Sequence, residues 1–247
     1  MAKKAGNLRQ MDVESSSERV PTGITGFDPL IQGGVKRNSI NLISGGPGSG
    51  KTLFAVQFLY NGVINFNENA LYITFEEKKK KLYEDVKEFG WDLRKLEEEK
   101  KFIFLEYTPE QVKKLLVEGG GNIELMVEKY EIKRLVIDSI TSFGLLYQDE
   151  LTKKESALAL FELIEKWNCT AFLTAQVGGD IDGDYMSSAV SFETDSIIIL
   201  YHTRNTLGRR IRNLEILKMR GTKHYEGLYP FEIGKYGIEV KSSKLLK

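Results

Sequence analysis

Eight residues, Gly45-Gly46-Pro47-Gly48-Ser49-Gly50-Lys51-Thr52, keep the spacing G-x-x-x-x-G-K-[ST]. Glycines so placed let the backbone curl with its N–H groups turned inward, at the start of a helix whose dipole favours an anion. Lys51 then reaches the outer phosphates of a ligand as a point charge. The Thr52 hydroxyl supplies one ligand to a magnesium ion bridging those phosphates. The chemistry expected is the binding of a nucleoside triphosphate with Mg2+.

Other residues complete such a site. The run Arg134-Leu135-Val136-Ile137-Asp138 reads as a buried strand ending in a carboxylate, which holds the magnesium shell from the side opposite Thr52. A strand-ending Asp also caps helices, and the P-loop upstream favours the metal reading. A second strand ends at Phe75 and delivers Glu76 and Glu77 to the same sheet edge, where one can polarise a water and the other orient it. Equally, the two can open the charged helix Glu76-Glu77-Lys78-Lys79-Lys80-Lys81, since acidic residues suit a first turn; the residues alone leave both readings open. Gln176 ends the strand before it and can sense a terminal phosphate through its amide. Lys218 and Arg220 stand two apart on an extended segment, hence on one side of it. They can stabilise charge on a transferring phosphoryl group in their own subunit or a neighbour's.

The elements that must position these residues follow from apolar periodicity. Expected strands are Ser39–Ser44, Ala70–Phe75, Phe102–Leu105, Arg134–Ile137 and Ala171–Thr174. Between them come a helix after the P-loop with the stripe Leu53, Val56, Gln57, Leu59, Tyr60 and Val63, and helices over Lys78–Phe89, Asn122–Tyr130 with Asn122 as N-cap, and Lys153–Trp167. Short apolar strands alternating with helices indicate an α/β fold, a mainly parallel twisted sheet with helices on both faces. After Ser196 the helices stop. Strands at Ser196–Tyr201, Leu214–Leu217, Phe231–Ile233 and Gly237–Val240 predict a C-terminal antiparallel β extension. Residues 1–20 are polar and rich in Ser and Glu, so a flexible lead-in is expected before one domain over 21–247.

Composition narrows the class. Thirty-five basic side chains balance thirty-five acidic ones, so net charge does not point to nucleic acid. The single cysteine, Cys169, excludes an internal disulfide and sits in an apolar stretch that suits a small buried side chain. No run approaches the roughly 18 apolar residues of a membrane span, and a cytoplasmic protein is expected. Two histidines, His202 and His224, with one distant cysteine give no zinc spacing.

Together these motifs resemble the RecA superfamily and, within it, the KaiC-like ATPases. The shared pattern runs from Thr22-Gly23-Ile24-Thr25-Gly26-Phe27-Asp28 through Gly33-Gly34 and the P-loop to Gln57-Phe58-Leu59-Tyr60-Asn61-Gly62. It continues at Tyr72-Ile73-Thr74-Phe75-Glu76-Glu77, at Val136-Ile137-Asp138-Ser139 and from Leu214 to Thr222, and closes at Tyr229-Pro230-Phe231. The resemblance implies a RecA-like P-loop core, hexameric rings and ATP between neighbouring subunits. It matches Thr52 and Asp138 to the magnesium residues, Glu76 and Glu77 to the paired catalytic glutamates, and Lys218 and Arg220 to a finger acting on the neighbour's ATP. The family's clock protein has two such domains and adjacent Ser and Thr phosphoacceptors. This chain has one domain and Ser191-Phe192 at that place, so neither a circadian role nor autokinase activity is carried over, although Ser191 itself is present.

Three functions follow. The first is a ring that hydrolyses ATP and whose nucleotide state a protein partner reads. The second is a DNA-dependent ATPase of the RecA and RadA branch. Against it, the loop Val177-Gly178-Gly179-Asp180-Ile181-Asp182-Gly183-Asp184 carries three acids and no base, which repels phosphate backbones. A basic hairpin bearing Arg204, Arg209, Arg210 and Arg212 is read as solvated or subunit-facing in preference to nucleic-acid contact. The third is a module that binds ATP only to assemble.

Overall fold

The alternation of apolar runs with amphipathic ones sets the architecture. The computed structural model describes residues 19–241 except 118, 120, 146, 148 and 177–192. Of the expected flexible lead-in over 1–20, residues 1–18 lie outside them, as do Val177 to Asp184 and Ser191, while Arg19 and Val20 are held in a paired strand with Val20 buried. A short strand β1 (Arg19–Val20) pairs antiparallel with β2 (Val35–Lys36) around a 3-10 turn at Asp28–Ile31. The main alternation then begins: β3 (Ile40–Gly45), α1 (Lys51–Phe66), β4 (Asn69–Thr74), α2 (Lys79–Lys87), α3 (Leu93–Glu98), β5 (Phe102–Glu106), α4 (Pro109–Val117), α5 (Gly121–Lys129) and β6 (Ile132–Asp138). After these come α6 (Ile140–Gly144), α7 (Glu150–Lys166), β7 (Thr170–Gln176), β8 (Ser196–Arg204), β9 (Arg210–Met219), β10 (Leu228–Gly234) and β11 (Gly237–Val240).

A nine-stranded sheet has the order β11-β10-β9-β8-β3-β7-β6-β4-β5. From β8 to β5 every pairing is parallel. The strands β9, β10 and β11 add antiparallel, as the change of pattern after Ser196 predicts. Period-2 alternation splits the core between the two faces. On β6, Val136 belongs to the core on the side of Phe54 and Phe58 of α1 and Leu82 of α2, while Leu135 and Ile137 belong to the opposite core with Ile123 of α5 and Leu160 of α7. The carboxyl ends of β3, β4, β6 and β7 therefore share one edge of a sheet covered on both faces, the place where open α/β folds hold ligands.

Three local expectations change. Helix α5 begins at Gly121, so Asn122 lies within its first turn and not before it as a cap. Helix α7 starts at Glu150, ahead of Lys153, because the Asp149 carboxylate caps it by accepting from the Thr152 amide at 2.8 Å. Helix α1 buries more than the expected stripe. Phe54, Ala55 and Phe58 are fully enclosed as well, and Gln57 exchanges two hydrogen bonds with the backbone of Ile238 in β11.

One cation is built into this core. Arg134 of β6 is fully buried, paired with Glu68 at 2.7 Å and donating to the carbonyls of Phe58 and Pro21. Its guanidinium lies over the rings of Phe58 and Phe66, in space that Gly62 leaves open: a Cβ there would collide with the arginine stem. Cys169 is buried, and desolvation pushes its thiol up to about 12.

Candidate functional site

Strand β3 delivers Gly45 to the carboxyl edge, and the chain turns through residues 46–50 into α1. Two positions demand glycine for their dihedral angles, Gly48 at φ 71° and Gly50 at φ 106°. Gly45 is required by space instead, since a Cβ would strike the Leu200 carbonyl and sit 2.7 Å from Ser49 Oγ. No side chain caps α1, so its first amides are left for a ligand or solvent at the positive end of the dipole. Lys51 Nζ folds back onto the Gly45 and Gly46 carbonyls at 2.8 and 3.0 Å. Burial lowers its pKa, while the charges of Asp138 and Glu76 act to raise it. Its ammonium offers three N–H donors and a compact charge to phosphate oxygens.

Asp138 ends β6, almost wholly buried, and receives hydroxyls from three neighbouring elements. Thr52 Oγ1 of α1 and the Tyr72 hydroxyl of β4 both donate to Oδ2 at 2.8 Å, and the Thr174 hydroxyl of β7 donates to Oδ1. Register explains the convergence: Tyr72 pairs with Val136, two residues before Asp138, so their side chains share a face. Desolvation, then the Asp138 charge, raises the Tyr72 phenol well above its ordinary value, and it stays a protonated donor. A hard oxygen set of one carboxylate and one hydroxyl beside a phosphate loop suits magnesium, which is held through few protein ligands plus phosphates. Among the described residues no cluster of three His, Cys, Asp or Glu offers an all-protein cage.

Beyond Thr74 the chain turns, and Thr74 Oγ1 accepts the amides of Glu76 and Glu77 at 3.2 and 3.0 Å. Glu76 acts electrostatically on Lys51. Glu77 lines, with Lys51 and Thr52, a cavity of about 360 Å³ whose far wall is Leu53, Leu82, Val86, Phe89 and Ile233. Lys81 stands 3.8 Å from Glu77, one helical turn on. Gln176 ends β7 directly beside Gly45 in register, with its backbone N–H donating to Thr141 Oγ1. Lys51, Thr52, Asp138, Glu76, Glu77 and Gln176 thus meet at one edge.

Lys218 and Arg220 do not join them. Lys218 pairs with Ile197, and Ile197 with Leu42, three residues before Gly45. At the spacings of β structure that sets Lys218 about 10 Å back along the sheet and about 10 Å across, some 14 Å from the Gly45 backbone. Its Nζ donates to the Thr194 carbonyl at 2.6 Å, and the Arg220 amide to the Asp195 carbonyl at 2.8 Å, both at the amino edge. Of the two placements the sequence leaves open, the antiparallel course of β9 keeps the pair away from its own subunit's phosphate loop.

The same course brings in residues that sequence reading did not assign to the site. His202 and Arg212 face each other across β8 and β9. Arg212 donates to the Gly48 carbonyl through Nε and Nη2 at 3.4 and 3.3 Å, and the His202 ring stands beside Gly48. Desolvation, then Arg212 and Arg210, lowers the His202 pKa. The turn is tied by Asn205, whose side chain accepts the Leu207 and Arg209 amides, with Gly208 at φ 74°. The β8–β9 register is what brings Arg212 of this hairpin to the phosphate loop.

Comparison with known proteins agrees with this arrangement. The family described as "ATPase: KaiC" matches residues 20–245. The chain is 36% identical over 231 residues to the circadian clock oscillator protein KaiC of Synechococcus elongatus, which covers 90% of this chain and 44% of that protein. It thus spans less than half the length of that relative. A UPF0273 protein of Methanocaldococcus jannaschii is 34% identical over 93% of this chain and 99% of its own length. Among solved structures, a KaiC-like protein from the hyperthermophilic archaeon Pyrococcus horikoshii superposes with a TM-score of 0.80 at 35% identity, over 90% of this chain and 98% of its own.

Proposed function

Because the chain belongs to the KaiC family of ATPases, we propose that residues 21–247 act as one cytoplasmic domain that binds and hydrolyses ATP in a hexameric ring, its nucleotide state read by a protein partner. The observation that carries this is the meeting of Lys51, the Thr52–Asp138 pair and the Glu76–Glu77 turn at the carboxyl edge of the sheet. The backbone from Gly45 to Thr52 wraps the triphosphate, and Lys51 leaves the Gly45 and Gly46 carbonyls for the outer phosphates. Thr52 and Asp138 hold magnesium, which when bound neutralises phosphate charge and aligns the groups. One of Glu76 and Glu77 takes the proton of the attacking water and the other holds it in place. Gln176, beside Gly45, senses the terminal phosphate. The apolar wall of the cavity receives the nucleoside end.

Lys218 and Arg220 act on the ATP of the neighbouring subunit, a role supported by their distance from their own P-loop. Nucleic-acid binding is the weaker reading, since Arg212 and His202 of the basic hairpin are engaged against the chain's own phosphate loop. Magnesium-dependent ATP hydrolysis per subunit, measured across a wide range of protein concentration, tests the proposal. Specific activity should rise with concentration as neighbours complete each site. ATP binding without turnover at any concentration would reduce the protein to an assembly module.

A further inference from the structure

Strand β4 is an apolar core strand with two hydroxyls on one face, Tyr72 and Thr74, both fully buried. A phenylalanine would fill the space of Tyr72 and keep the stacking of its ring on Phe104, whose centroid lies 5.3 Å away. Burying the extra hydroxyl costs free energy unless it is bonded, so its partners say what it does there.

Counting donors and acceptors fixes those partners. A threonine hydroxyl has two acceptor sites and one proton. Thr74 Oγ1 accepts the Glu76 and Glu77 amides, which occupies the first two and leaves the proton. The Tyr72 hydroxyl is its neighbour on the same face of β4, and Thr74 itself is the register partner of Asp138. The single Tyr72 proton goes to Asp138 Oδ2, the oxygen that Thr52 also donates to. One face of β4 therefore holds the glutamate turn through Thr74 and the aspartate through Tyr72, two residues apart on the same strand.

We infer that Tyr72 and Thr74 are positioning residues which join the Glu76–Glu77 turn to the Asp138 carboxylate, so that the water-activating and metal-holding halves of the site move as one unit. The inference rests on the site reading proposed above. Tyr72 fixes the rotation of the Asp138 carboxylate, and Thr74 fixes where β4 ends and the glutamate turn begins.

Its test is a magnesium titration of the binding of a fluorescent, non-hydrolysable ATP analogue to the full chain. Tyr72→Phe should raise the magnesium concentration for half-maximal binding about tenfold, the usual cost of losing an outer-shell partner, with analogue affinity in EDTA unchanged. Phe104→Leu disturbs the packing of the same ring without touching the hydroxyl and should lower the melting temperature while leaving the magnesium midpoint in place. Thr74→Val should lower kcat and raise the magnesium midpoint together, and Thr74→Ser should restore both. A wild-type magnesium midpoint in Tyr72→Phe, or an equal shift in Phe104→Leu, overturns the inference alone. A wild-type protein whose analogue binding ignores magnesium sinks the site reading and the inference together.

Discussion

On the proposed ring with its finger acting in trans, subunits lacking the Lys51 amine and subunits lacking the Arg220 guanidinium should each be inert alone and active when mixed. The geometry sets the size of the effect. Lys218 lies about 14 Å from its own Gly45 by strand spacing, and its Nζ is turned toward the Thr194 carbonyl. A lysine side chain spans about half that distance, so the finger cannot serve its own loop. Losing a finger cation costs on the order of 10³-fold in kcat or more, so Arg220→Ala rings should be near background. Lys51→Ala rings should fail at binding. In a ring assembled at random from equal parts, a working interface needs an intact loop on one side and an intact finger on the other. Half of all loops and half of all fingers qualify independently, so about one quarter of wild-type turnover per subunit should return when neighbouring chains complete each other. The assay is steady-state phosphate release from subunits mixed before nucleotide is added. A mixture no more active than the mean of its two parts would refute the trans arrangement, whatever the fate of either single variant.

Three further outcomes are expected. Gly45→Ala should lose nucleotide binding and about 3 kcal/mol of stability, read by denaturant unfolding, because its Cβ meets a backbone carbonyl of β8 that cannot step aside. Glu68→Ala strands the buried Arg134 charge and should cost about 3 kcal/mol, a fall of roughly 6–12 °C in Tm, with nucleotide affinity unchanged. His202 sits below its ordinary 6.5 when folded, so the unfolded chain takes up protons first and stability declines as pH falls through that value. His202→Asn should therefore show a smaller drop in melting temperature between pH 7 and pH 5 than the wild type.

The loop from Gly45 to Thr52 was legible in the sequence because its chemistry is local: glycine dihedral freedom, a helix start and a charge fall within eight residues. Asp138 was legible only together with that loop, which favours the metal reading of a strand-ending carboxylate over the helix-cap one. Residues brought together by strand register were not. Nothing near Arg212 in sequence says that β8 and β9 carry it to Gly48, and nothing near Tyr72 says that its hydroxyl reaches a carboxylate two positions along a neighbouring strand. Arg134 read as one end of an apolar strand, and only the opening beside Gly62 explains how a guanidinium fits inside. The helices α3 and α6 are five or six residues long, too short for a 3.6-residue period to rise above the loops around them. Helix α7 was found but its start was not, since Asp149 caps from a position outside the amphipathic stretch.

Strand β9 touches the chain's own phosphate loop through Arg212 and carries Lys218 six residues later, about 20 Å away along an extended backbone. A paired strand is stiff, and its two ends answer to different pockets if the finger acts in trans. In a closed circle the pockets are then wired in series: what happens at one loop is passed along a rod to the next before solvent or partner can register it. Coupling of either sign makes turnover in such a circle depart from a plain hyperbola in ATP, and a plain hyperbola from the wild-type protein would show that the rods carry no signal.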